Sequence, residues 1–171
     1  MQLRYDEDFV EAAVFLCASG RRKGVPTLQI SRFHRQREKL YSIADPNDRN
    51  ATFFSVQLDW FREWGLEAEL GAVLAEFPLM EKLAALAVRK AQSKSDEGTE
   101  LYVNEEGQRT GVLVLRMERL AQDFGLTTYL RHEFTHLHDM LNPVFGYSPA
   151  LDLPGLNQAQ VRLARERYRL L

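Results

Sequence analysis

The chain has 171 residues and a formal net charge of −2, with 45% hydrophobic and 27% charged side chains. This composition is ordinary for a globular protein, so disorder is excluded as its main state. Surfaces that bind nucleic acid or anionic membranes require a strong basic field, which this net charge does not supply. We therefore expect neither partner.

The cysteine content and the first residues indicate a compartment. Cys17 is the single cysteine, so an internal disulfide is impossible and we expect a small buried side chain there. Three acids, Asp6, Glu7 and Asp8, precede the first apolar run and have the wrong charge for a secretory signal. No stretch of the sequence is apolar over the length that a bilayer requires. These features predict a cytoplasmic protein.

Residues 1–92 are predicted to form a mainly helical N-terminal region. Apolar side chains recur at helical spacing in three segments, which we expect to end at Gly20, at Asp45-Pro46 and at Gly65. Residues 66–92 then predict one broken helix or two consecutive helices, interrupted at Pro78. The third segment is dense in aromatic residues, which we expect in the core rather than on a binding surface: Phe53, Trp60, Phe61 and Trp64.

A polar run at residues 93–100 is the predicted boundary or linker between this region and the rest of the chain. Beyond it the apolar period becomes alternating instead of helical. Residues 99–103 and 109–117 predict two strands, joined by a bend at Gly107. A β-hairpin therefore opens the second region, residues 99–171.

Helical spacing returns at residues 117–141, where Gly125 separates a short turn from the main helix. Residues 142–155 are rich in Pro and Gly and predict a loop. Residues 157–171 open with the spacing of a capping box and predict a last amphipathic helix. That helix reaches the end of the sequence without a cap, so we expect either a continuation of the chain or a packed terminus.

Three of the four histidines lie within the main helix, and two of them form the pattern HExxH. His132 and His136 are one helical turn apart, so both imidazoles point to the same side and can hold one Zn²⁺. Glu133 is adjacent to the first histidine, where its carboxylate can accept a proton from the attacking water. This spacing therefore predicts two zinc ligands and a general base on one helix.

A hairpin followed by an HExxH helix resembles the zincin metallopeptidases. The resemblance covers residues 99–171 and implies an α+β fold, in which a small antiparallel hairpin packs on the HExxH helix beside the helical N-terminal half. It also implies that residues 109–117 form an edge strand, which binds extended substrate by main-chain pairing. The implied cofactor is zinc, and the implied partner is a peptide or protein substrate.

A zinc site of this kind needs a third protein ligand. The metzincin pattern is not met, because Asp139 and Asn142 occupy the positions of its glycine and third histidine. Asp139 shares the histidine face but lies far along the helix. It suits a hydrogen bond to His136 better than direct ligation, although ligation stays open.

The chain also resembles the gluzincins, in which a later helix supplies a glutamate ligand. That resemblance points to Glu166, which is the only acid in the predicted last helix and lies thirty residues after His136. Its neighbours are both arginines, so a surface ion pair is an equal alternative for this side chain. Asp152 and a ligand beyond Leu171 are weaker choices.

Three further residues, Tyr147, His138 and His34, lie outside the HExxH pattern. Zincins often stabilise the oxyanion with a tyrosine or histidine, which makes Tyr147 a catalytic candidate beside its alternative as a packing residue. His138 lies on nearly the opposite side of the helix from His132, so we expect packing or solvent exposure. His34 is remote from the cluster and is expected on the surface.

The sequence thus predicts a zinc-dependent metallopeptidase in which zinc and Glu133 activate water for attack on a peptide carbonyl. Two alternatives remain open. One is a zincin scaffold that keeps its metal but serves as a protein-interaction module without turnover. The other is a helical interaction protein whose HExxH pattern arose by chance, which the aromatic N-terminal region favours.

Overall fold

The computed structural model of the chain describes residues 1–121 and 125–142, which form an α+β structure. Its helices are α1 (Glu7–Ala18), α2 (Thr27–Leu40), α3 (Pro46–Glu63), α4 (Leu66–Leu74), α5 (Glu118–Ala121) and α6 (Gly125–Leu141). Its strands are β1 (Gln2–Tyr5), β2 (Ala85–Lys90), β3 (Gly98–Val103) and β4 (Arg109–Leu115). Two short 3-10 helices, Pro78–Lys82 and Lys94–Asp96, precede β2 and β3.

The four strands form one mixed sheet in the order β1-β2-β4-β3. β1 runs parallel to β2, and β2 runs parallel to β4. β3 runs antiparallel to β4 and forms the predicted hairpin with it. The bend contains Gly107 at φ +81°, a conformation that glycine adopts without strain, so the predicted role of this residue is confirmed. The sheet joins strands from both regions of the chain.

The helix predicted at residues 79–92 is wrong. Pro78–Lys82 is a 3-10 helix, and Ala85–Lys90 is the interior strand β2. Alanine and leucine favour a helix locally, but β2 has neighbouring strands on both sides and is largely buried. Tertiary burial therefore overrides the local helix propensity. Strand β1 was not predicted either, because its four residues are too few to establish a period.

The expected edge strand is also corrected. β4 was expected to lie at an edge, but it pairs with β2 on one side and with β3 on the other. The reason is again β2, which was predicted as a helix and instead occupies the parallel side of β4. β3 is the edge strand on this side of the sheet in the described part of the chain.

Of the four aromatic residues expected in the core, Trp60 and Phe61 lie there and Trp64 packs against it, whereas Phe53 is half-buried and packs on Tyr41 outside the core, so the prediction is wrong for Phe53. Phe61 is fully buried and Trp60 nearly so, and Phe33 of α2 packs against both Trp60 and Trp64. Each indole N–H donates a hydrogen bond to a glutamine of α2, at 2.9 Å in both cases. Partners for both indoles allow these large side chains to lie at the interface of two helices. Cys17 is buried in the same core, as expected.

Helix α6 lies against β3, α4, α5 and the first 3-10 helix. A glycine, Gly111 of β4, lies where this helix meets the sheet. A Cβ added to it would lie 3.1 Å from side-chain atoms of Leu83 and Leu86 and 3.5 Å from Leu137. The absent side chain at Gly111 therefore leaves room for the leucines between α6 and the sheet. This packing positions the HExxH helix beside strand β3.

Several predictions fall on residues outside the described part of the chain. These are the loop at residues 143–155, the last helix at 157–171, and the candidates Tyr147, Asp152 and Glu166. Among the helices of residues 1–121 and 125–142, none has the length and apolar character needed to cross a membrane.

Candidate metal centre

The HExxH residues all lie on α6, as the helical spacing predicts. The apolar side chains of this helix face the core, and Phe134 and Leu137 are fully buried there. His132 lies on the exposed side and His136 is half-buried. The histidine pair therefore lies where an ion and a substrate can approach from solvent, on a helix held by its apolar face.

The two imidazoles converge on one point. Nε2 of His132 lies 3.0 Å from Nε2 of His136, and the ring planes are nearly perpendicular, at 81°. Two Zn–N bonds of about 2.05 Å at a tetrahedral angle place their nitrogens about 3.3 Å apart. Small side-chain movements would bring the pair to that separation, so these two donors fit a zinc ion.

The protonation of His136 also suits metal binding. Burial and the neighbouring His132 lower the pKa of His136 below its ordinary value, and Asp139 partly opposes this effect. A lowered pKa favours the neutral imidazole near neutral pH, and the neutral form carries the lone pair that binds a metal.

The carboxylate of Glu133 lies beside the histidine pair. Its side chain is buried, with 8% of the residue exposed, and its Oε1 lies 3.9 Å from Nε2 of His132. Thr99 of β3 donates a hydrogen bond of 3.3 Å to Oε2 and so positions the carboxylate from the other side. Burial raises the pKa of Glu133, while His132 and the hydrogen bond from Thr99 lower it. A carboxylate in this environment is a stronger base than one in water.

Asp139 is buried, with 7% of the residue exposed, and its Oδ1 lies 3.3 Å from Nδ1 of His138. A bond from this carboxylate to His136 was predicted, and the contact seen in the structure is with the adjacent His138. Asp139 acts on His136 through its charge, which raises the pKa of that imidazole. The role predicted for Asp139, to support the histidine pair without ligating the metal, stays a prediction.

The remaining histidines lie where the sequence predicts. His138 is half-buried and its ring packs 6.2 Å from that of Phe77, so the packing role expected for it is confirmed. His34 is exposed on α2. Within residues 1–121 and 125–142, no group of three or more His, Cys, Asp or Glu side chains is arranged to hold a metal ion. The candidate third ligand Glu166 lies outside these residues.

Two features of the site were missed by sequence reasoning. Thr99 contacts Glu133 across 34 positions of the chain, and no local spacing indicates such a pair. A cavity of about 650 Å³ opens beside the same carboxylate and is lined in part by Lys94, Glu97 and Arg119. The lining residues come from separate elements, so the topology of the sheet was needed to bring them together.

Compared with known proteins, the chain matches no family model, no curated protein and no solved structure.

Proposed function

We propose that this chain is a zinc-dependent metallopeptidase of zincin-like architecture. One observation supports the proposal above the others: two imidazole nitrogens 3.0 Å apart have a buried, hydrogen-bonded carboxylate beside them. A carboxylate is costly to bury, and among the described residues Glu133 forms no ion pair with an arginine or lysine, although the charge of Arg119 acts on it from a greater distance. A catalytic role accounts for that cost, because general bases are frequently placed in desolvated environments.

The roles of the residues follow from their positions. His132 and His136 hold the ion, which when bound lowers the pKa of water and polarises the scissile carbonyl. Glu133 takes a proton from the attacking water and passes it to the leaving amine. The Thr99 hydroxyl keeps the Glu133 carboxylate directed toward the histidine pair. Glu166 remains the proposed third ligand and Tyr147 a proposed oxyanion donor, both carried over from the family resemblance.

A peptide is the proposed substrate because the sheet edge adjoins the site. β3 pairs with β4 on one side, and no described strand pairs with its other side. Thr99, which holds Glu133, belongs to this same strand. An extended peptide could add to β3 by main-chain hydrogen bonds and place a carbonyl near the base. The role that the resemblance gave to residues 109–117 thus passes to β3.

Metal analysis combined with peptide hydrolysis tests the proposal. The purified protein should contain one zinc per chain and cleave members of a peptide library. The double variant His132→Ala/His136→Ala should lose both properties. His34→Ala is the matched control, because it removes an exposed imidazole from α2, and should keep both.

Each outcome has a definite meaning. Full zinc occupancy in the double variant would show that the assigned ligands are wrong. Stoichiometric zinc without cleavage of any peptide would favour the metal-binding interaction module instead. Absence of zinc from protein purified without added metal would favour an interaction protein of α+β fold in which the HExxH pattern arose by chance.

A further inference from the structure

The cavity beside Glu133 is lined by residues from three segments of the chain. Its lining includes Glu133 and His132 of α6, Arg119 of α5, and Lys94 and Glu97 from the segment before β3. Its volume of about 650 Å³ falls within the range of pockets that hold small ligands or single side chains. A substrate that reaches Glu133 therefore also contacts a wall that carries basic residues.

Arg119 is fixed in this wall by three contacts. Its Nε and Nη2 atoms donate hydrogen bonds of 3.1 Å to the two oxygens of Glu97. Its guanidinium lies 4.7 Å from the centre of the Tyr129 ring, and the hydroxyl of that tyrosine donates to the carbonyl of Val114 at 2.6 Å. A guanidinium fixed in this way loses little further freedom when an anion binds near it.

The side of the cavity formed by Lys94, Glu97 and Arg119 has two cations and one carboxylate, and Glu133 is the second carboxylate of the lining. The carboxylate of Glu97 is shared, because Arg116 also approaches it, with Nε 3.2 Å from Oε2. Arg116 does not line the cavity, so Glu97 shares its charge between one guanidinium inside the wall and one outside it. Lys94 is the second cation of the wall: it is exposed, and no described carboxylate forms an ion pair with it.

The nearest acid along the chain does not change this balance. Asp96 lies two residues from Lys94, but both its oxygens accept hydrogen bonds from Arg89, at 2.9 and 3.0 Å. The backbone N–H of Gln92 donates to the same carboxylate. Asp96 is therefore committed to another cation, and the positive charge of Lys94 stays available.

We propose that this wall binds a carboxylate of the substrate and that Lys94 is the residue that selects it. The inference rests on the proposed peptidase function, because the cavity is assigned to substrate through Glu133. A peptide offers a carboxylate either from an aspartate or glutamate side chain or from its C-terminus. Lys94 is the specificity residue rather than Arg119, because Arg119 already pairs with Glu97 and Lys94 has no such partner among the described residues.

Binding to the zinc-loaded Glu133→Gln protein tests this selection without cleavage of the probe. The probes are fluorescent hexapeptides in pairs that differ by Glu or Gln at one position, each made with a free and an amidated C-terminus. Peptides with the favoured carboxylate should bind about fivefold more tightly than their neutral partners, as for a partly screened ion pair. The Glu/Gln pairs and the free/amidated pairs reveal which of the two carboxylates is bound.

Substitution of Lys94 should remove and then reverse this preference. Lys94→Gln should abolish it, and Lys94→Glu should favour peptides with a lysine at the same position. Lys39→Glu makes the same charge change on an exposed residue of α2 and should leave the preference intact. Retention of the carboxylate preference in Lys94→Glu, or its absence in the parent protein, would overturn the inference.

The two proposals fail in different ways. If the unmodified protein cleaves no peptide but the binding preference reverses with Lys94→Glu, the peptidase function fails and the carboxylate site stands. If the protein cleaves both members of every Glu/Gln pair and of every free/amidated pair with equal kcat/KM, and Lys94→Glu changes none of these values, the function stands and the inference fails.

Discussion

Helices α2 and α6 have similar lengths but are attached to the protein in different ways. α2 has 14 residues and buries a single one, Phe33. α6 has 17 residues and buries nine, among them the carboxylates of Glu133 and Asp139. In the described part of the chain three polar side chains are buried, and two of them lie on α6. The single buried side chain of α2 is apolar, whereas α6 buries two carboxylates together with its apolar side chains.

This difference is the one expected between a structural helix and a helix that has the proposed catalytic role. An apolar anchor stabilises the fold and needs no further explanation. A buried carboxylate is unfavourable for folding unless a partner or a function accounts for it. Substitutions on α2 should therefore change stability and leave chemistry unchanged, whereas substitutions of the buried acids on α6 should mainly change chemistry.

The largest effect is expected at Glu133. Glu133→Gln preserves the shape of the side chain but removes the base, so kcat should fall by about 10²- to 10⁴-fold. Zinc content and the midpoint of thermal unfolding should stay close to those of the unmodified protein. Peptide hydrolysis, metal analysis and circular dichroism measure the three quantities. Hydrolysis at the original rate would exclude Glu133 as the base.

The anchor of α2 should give the opposite result. Phe33→Ala removes a fully buried ring that packs on Phe15, Trp60 and Trp64, and should lower the free energy of unfolding by about 3–5 kcal/mol. Both tryptophans of the chain lie at the interface of α2 and α3, so their fluorescence reports its opening during denaturation. Zinc bound per folded molecule should not change.

The neighbouring residue provides the control for that measurement. His34→Ala removes an exposed ring from the same helix and should change stability by less than about 0.5 kcal/mol. If Phe33→Ala were equally mild, α2 would not depend on its single buried side chain. If Phe33→Ala reduced zinc binding in the folded protein, the proposed separation between the two helices would be wrong.

Asp139 tests whether the second buried acid of α6 also serves the metal. If Asp139 supports the histidine pair, the Asp139→Asn variant should bind zinc about 10- to 100-fold more weakly than the unmodified protein. Competition with a chelator of known affinity measures this. Glu166→Ala should lower the affinity further, by orders of magnitude, if Glu166 is the third ligand. The reverse ranking would assign the third ligand to Asp139.

The features of α6 that the sequence predicts are those encoded within one helix. His132, Glu133 and His136 are neighbours along the chain, and a period of 3.6 residues places the two imidazoles together. The hairpin of β3 and β4 was predictable for the same reason, because alternation and Gly107 act locally. The metal and its third ligand stay predictions.

The features that could not be predicted depend on distant residues. Strand β2 contains alanines and leucines that favour a helix, and its strand conformation follows from pairing with β1 and β4. The hydrogen bond from Thr99 to Glu133 and the basic wall at Lys94 depend on that sheet in turn. Because β2 was predicted as a helix, neither the edge position of β3 nor the cavity beside Glu133 could be predicted.

The smallest predicted effect lies on the exposed side of α6, where Arg131 pairs with Glu76 through two hydrogen bonds of 2.9 and 3.0 Å. The hydrogen bonds from Arg131 hold the pKa of Glu76 below its ordinary value of 4.5, and the charge of Arg131 acts in the same direction, whereas desolvation opposes both. A group whose pKa is lowered in the folded state stabilises the protein at pH values above its ordinary pKa, and this contribution disappears as the pH falls through the lowered pKa.

Arg131→Gln should therefore lower the unfolding temperature by about 1–3 °C at pH 7 and by less at pH 3 or in 1 M salt. Arg35→Gln on α2, where no described carboxylate pairs with the arginine, should show no such dependence on pH. If Arg131→Gln lowered the unfolding temperature equally in acid and in high salt, Arg131 would stabilise α6 by packing rather than by its charge. The exposed side of α6 would then be stabilised by packing, as its buried side is.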